Sequence, residues 1–174
     1  MEHWLIYEPK YDMLIIRGNM TKSQKIRNRI RYWIKILDLK QKFILKEATK
    51  KEKKENMFSA YTEKKKNHIV IGFNSDVITL RNMNNHIDRV ILHEIGHVLT
   101  KQEKSGQVEV INEYNAEKYM LNILYKYDIR LYKKVVDYMN DFLSREDIFY
   151  AIQYPQHYEA FCRVYNVEHK RYYL

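Results

Sequence analysis

Residues 87–101 read Ile87-Asp88-Arg89-Val90-Ile91-Leu92-His93-Glu94-Ile95-Gly96-His97-Val98-Leu99-Thr100-Lys101. Ile87, Val90, Ile91, Ile95, Val98 and Leu99 recur every three or four positions, which predicts a helix over about 84–101 with one apolar band. His93 and His97 are four apart, so they stand one turn above the other on a single face. Two imidazoles so placed can converge on one cation about 2 Å from each nitrogen. Glu94 follows the first histidine directly and therefore points beside that position. There it can take a proton from a water that the ion has made more acidic. The His-Glu-x-x-His pattern is short enough to arise by chance, so its surroundings decide its weight.

Downstream stands Asn112-Glu113-Tyr114-Asn115-Ala116-Glu117. The intervening chain can finish the first helix near Lys101, turn at Lys104-Ser105-Gly106 and start a second helix pointing back. Glu113 then reaches the ion as a third ligand, and a fourth position stays open for water, as a catalytic zinc site requires. Glu109 and Glu117 compete with Glu113, because loop length does not set the register of the second helix. Glu117, one turn further on, is also placed to accept the free ring N–H of a ligand histidine, His93 first. His86 shares the face of His93 but reads as a satisfied or exposed histidine near the helix start.

Upstream, Trp4-Leu5-Ile6-Tyr7 and Met13-Leu14-Ile15-Ile16 flank a turn at Glu8–Asp12, which suggests a hairpin. Thr21 or Ser23 can cap a helix reaching about Leu37, with Ile26, Ile30, Trp33, Ile34 and Leu37 as its buried face. Its other sides carry Lys22, Lys25, Arg27, Arg29, Arg31 and Lys35. Phe43–Leu45, Met57–Thr62 and His68–Phe73 read as strands. The lysine runs at 50–54 and 64–66 read as solvated turns and edges. After Phe73 helices are expected near 84–101, 108–126, 129–143, 145–153 and 156–165, with Ser144 capping the fourth. The order is strands first, helices after. It predicts an α+β chain: an N-terminal antiparallel or mixed sheet with a basic helix, then the motif helix and a C-terminal helical bundle.

The 174 residues fit one domain, 1–174, and a hydrophobic fraction of 45% fits a folded chain rather than a disordered one. No apolar run approaches the roughly 20 residues that span a bilayer, and Met1–Tyr11 does not read as an export signal. Cys162 is the one cysteine, so no internal disulfide forms and a cytoplasmic setting is expected. Its place in Glu159-Ala160-Phe161-Cys162 reads as core. The net charge of +9 permits a nucleic-acid or acidic protein partner without establishing one.

His93-Glu94-Ile95-Gly96-His97 followed by Glu113-x-x-Ala116-Glu117 resembles the gluzincin metallopeptidases. With the preceding strand it also resembles the small ImmA/IrrE-type metallopeptidases of bacteria and phages, over roughly residues 68–125. Tyr119-Met120 replaces the aromatic–alanine pair usual after the glutamate in that family. Metzincins need a histidine at position 103, where Glu103 stands. The resemblance implies a zincin-like fold, a Zn2+ cofactor held by His93, His97 and Glu113, Glu94 as catalytic base, and a protein substrate such as a repressor. It also implies a distant His or Tyr that stabilises the oxyanion, for which His157 and Tyr158 are the candidates. The competing readings are a DNA-associated protein using the basic helix of residues 22–35, and a protein-binding module that keeps the scaffold without cleaving.

Overall fold

Thr21 precedes the run in which apolar residues recur at helical spacing, and the chain becomes helical there. The computed structural model describes residues 20–55, 59–79, 86–100, 108–144, 151 and 154–167. Helix α1 is Lys22–Ile36. Thr21 Oγ1 accepts from the Gln24 amide at 3.2 Å, and Gln24 Oε1 accepts from the Thr21 amide at 2.8 Å, so each residue satisfies the other's N–H. Ile26, Ile30 and Trp33 are buried as the spacing predicts, and Ile34 and Leu37 pack against the core. Burying each such side chain contributes about 1.5–3 kcal/mol.

Two of the six cations expected on the outer sides of α1 turn inward instead. Arg27 Nη1 donates to Leu45 O at 2.6 Å. Arg29 is buried and donates to Asp88 through Nε at 2.5 Å and Nη2 at 3.0 Å, while Trp33 Nε1 donates to the same carboxylate at 2.6 Å. Asp88 is 2% exposed, and a carboxylate that deep requires such partners. The basic helix therefore offers solvent fewer cations than its sequence suggests. Asp88→Asn is expected to cost about 3 kcal/mol, because it strands a buried guanidinium. Denaturant unfolding measures this, and an unchanged midpoint would remove the pair from the account.

Three strands form one mixed sheet in the order β1-β3-β2: β1 Phe43–Glu47, β2 Ala60–Lys64 and β3 Ile69–Phe73. β1 runs parallel to β3 and β2 antiparallel to it. The central strand, Ile69-Val70-Ile71-Gly72-Phe73, is a nearly continuous apolar run, as a strand covered on both faces requires. Lys46, Glu63 and Lys64 are exposed on the outer strands. The lysine run at 50–54, expected as solvated turn or edge, lies in a short helix, α2, Lys50–Glu55. Thr49 and Glu52 cap each other's amides at 3.2 and 2.7 Å, a local signal that the lysine count conceals.

The remaining helices are α3 Ile87–Leu99, α4 Val108–Tyr127, α5 Ile129–Ser144 and α6 Pro155–Tyr165. Six helices and one sheet among the described residues make the chain α+β and mostly helical. Ser144, expected as the cap of a helix over 145–153 that lies mostly outside the described residues, is the last residue of α5. In that helix Leu131, Val135, Met139 and Leu143 carry the buried stripe to the end, and the Ser144 hydroxyl donates back to Asn140 O at 2.5 Å. The expected hairpin at 4–16, the turn at 104–106 and most of the expected helix 145–153 lie outside the described residues. α3 packs on α4 and against β2, and α4 packs on α6. No described helix is long and apolar enough to cross a membrane.

Candidate metal centre

His86 caps α3: its Nδ1 accepts from the Asp88 amide at 3.3 Å, and burial pushes the imidazole pKa down. Nearly three turns on, Gly96 lets α4 come close. A Cβ on Gly96 would stand 2.8 Å from both Cα and O of Ala116, so the helices meet backbone to backbone there. Ala116, fully buried, lies between Glu113 and Glu117 on α4, and the close approach swings both carboxylates onto the histidine face of α3. Gly96→Ala is expected to cost about 1–3 kcal/mol by overpacking and to move Glu113 away from the histidines. Melting curves and metal affinity should fall together; a stable variant with full affinity would show that the approach is not needed.

Among the described residues, His93, His97 and Glu113 are grouped so that they could hold a metal ion, their ligand atoms all within 4.8 Å of one another. His93 Nε2 is 3.1 Å from Glu113 Oε2 and 3.2 Å from His97 Nε2, and His97 Nε2 is 3.3 Å from Glu113 Oε1. Ligands about 2.0–2.1 Å from a tetrahedral ion are separated by about 3.3–3.4 Å. The two ring nitrogens and the two oxygens of Glu113, one facing each ring, are spaced close to that separation, so the donor set fits zinc in chemistry and lies near the spacing it needs. Bound to an ion, both Nε2 atoms would turn their lone pairs to it, and their 3.2 Å separation leaves room for that.

Glu117 is fully buried behind His93 and accepts from its Nδ1 at 2.7 Å. A carboxylate there keeps the proton on Nδ1 and leaves the Nε2 lone pair for the ligand cluster. Glu117 Oε1 accepts from Tyr165 Oη at 2.7 Å and from Arg89 Nη2 at 3.3 Å. Burial alone would raise the Glu117 pKa, but Arg89, His93 and Tyr165 outweigh it and hold it at about 2. Burial likewise opposes the charge on His93, yet Glu113 and Glu117 prevail and push the imidazole up to about 10. Glu113 is held well below the usual carboxylate range by the two histidines despite its burial.

Glu94 is half-buried and is not one of the three grouped residues. Burial raises its pKa, partly offset by the neighbouring histidines. Thr62 on β2 faces it: the hydroxyl is 3.1 Å from Glu94 O and 3.3 Å from Glu94 Oε2. Glu109 is exposed and not in the cluster, while His157 Nε2 lies 3.4 Å from Glu113 Oε2. Tyr158 is buried in the core, and Cys162 is buried with its thiol pKa raised, as a core residue.

Arg89, Tyr165 and Thr62 escape a reading of the sequence alone. Arg89 lies one turn before His93 and Tyr165 eight residues after His157, so both are on the expected helix faces, but neither spacing names a partner. Thr62 has no sequence signal linking it to Glu94. Comparison with protein-family models, with curated proteins and with solved structures finds no match for this chain.

Proposed function

We propose that the chain is a zincin-like zinc metalloendopeptidase, acting inside the cell on a specific protein, a repressor or other regulator being what the family resemblance implies. The observation that carries the reading is the convergence of His93 Nε2, His97 Nε2 and the Glu113 carboxylate at 3.1–3.3 Å, with Glu94 beside them and outside the trio. His93, His97 and Glu113 would hold the ion. Zinc bound by three protein groups supplies Lewis acidity toward a carbonyl and lowers the pKa of water to about 7.

The protein's own groups then divide the remaining work. Glu94 takes the proton of the attacking water and returns it to the leaving amine, and the raised pKa that burial gives it suits a group that must both accept and release. Glu117 orients His93 and keeps its proton on Nδ1. The test is a defined peptide library incubated with zinc-loaded protein and read by mass spectrometry. Internal peptide-bond cleavage that stops on chelation is the expected result; stoichiometric zinc with no cleavage of any member would favour a binding module instead.

Charge balance makes a second prediction. Without an ion, the proton on His93 neutralises part of the two carboxylates, and its pKa of about 10 keeps it there at neutral pH. An incoming divalent ion must displace it. Zinc binding at about pH 7–8.5 should therefore release about one proton, and affinity should rise about tenfold per pH unit. Calorimetry in buffers of different ionisation enthalpy reads the proton count, and a count of zero would contradict the assignment.

A further inference from the structure

His157, Phe161 and Tyr165 recur every four residues and so form one stripe along α6. All three meet the centre: His157 beside Glu113, Phe161 with its ring centroid 6.1 Å from that of His93, and Tyr165 on Glu117. Tyr165 is almost fully buried and Glu117 completely so. The oxygens of Glu117 are divided, Oε2 accepting from His93 Nδ1 and Oε1 from Tyr165 Oη at 2.7 Å and Arg89 Nη2 at 3.3 Å. The terminal torsion of a glutamate is soft, so a carboxylate held by one oxygen turns easily. Held at both, it is fixed.

We propose that Tyr165 is a positioning residue for the metal centre: by holding Oε1 it fixes the Glu117 carboxylate against His93, and so sets the affinity of the His93–His97–Glu113 cluster for a divalent transition-metal ion. The inference rests on the metal reading above. Without the hydroxyl, the carboxylate can rotate toward Arg89, lengthening its bond to Nδ1 and making His93 a poorer ligand. A helix remote in sequence from the His-Glu-x-x-His segment thereby becomes part of the site. Metal binding and seating of α6 are then coupled, each strengthening the other.

Cobalt(II) titrated into the metal-free full chain, against a chromophoric chelator, tests this. Tyr165→Phe keeps the ring and removes the hydroxyl. It should bind cobalt about 10–100-fold more weakly, with an altered d–d spectrum, and in the metal-free state it should still fold while melting somewhat lower, because a buried hydrogen bond to a carboxylate is lost. In a Glu117→Gln background the same change should have no further effect, since Tyr165 acts through that carboxylate. Equal affinity and spectrum in Tyr165→Phe and the parent, or the same loss in both backgrounds, would overturn the proposal. Should Glu117→Gln fail to fold, the Tyr165→Phe affinity and spectrum decide alone. A parent chain that binds no cobalt would instead bring down the metal reading itself.

Discussion

Replacing Glu94 by glutamine is expected to lower peptide hydrolysis by about 10²–10⁴-fold while zinc content stays at one ion per chain. The size follows from what a positioned base contributes to proton transfer. The sparing of zinc follows from geometry, since Glu94 is not among the three grouped side chains and its carboxylate faces Thr62. Glutamine keeps the shape and loses the basicity, so a binding defect should not accompany the loss of rate. Single-turnover cleavage of the best library peptide, with zinc measured in the same sample, separates the two. A variant that cleaves at the parental rate would move the base elsewhere.

His97→Ala should have the opposite signature, losing zinc first and activity as a consequence. It removes one of three ligand atoms, a heavier loss than an outer-shell contact worth roughly 10–100-fold in affinity. His93 and the Glu113 carboxylate remain but no longer enclose an ion. The fold should loosen only where zinc had supported it. The metal-free variant and the metal-free parent should therefore melt at similar temperatures, whereas zinc should stabilise the parent alone. Equal thermal shifts on adding zinc to both would mean that His97 is not a ligand.

The features legible in the sequence are those governed by short-range rules. The Thr21 cap, the Ile26–Ile30–Trp33 stripe and the run at Ile69–Phe73 are each written in consecutive or helically spaced residues. The contact of Glu117 with His93 is the exception: it joins two helices, and it is legible because a ligand histidine's free ring N–H calls for an acid and the next helix offers few. What was not readable depends on distant pairing. Arg29 looks like one more surface cation until α3 brings Asp88 to it. Tyr165 is one of 16 tyrosines, and only the packing of α6 on α4 singles it out.

Direct measurement of zinc in the purified, fully folded chain bears on everything above. After saturation with zinc and removal of the excess, elemental analysis should give one ion per chain, and close to none when His93 and His97 are both alanine. A parent preparation that keeps no zinc, or a double variant that keeps as much as the parent, would contradict the assigned centre.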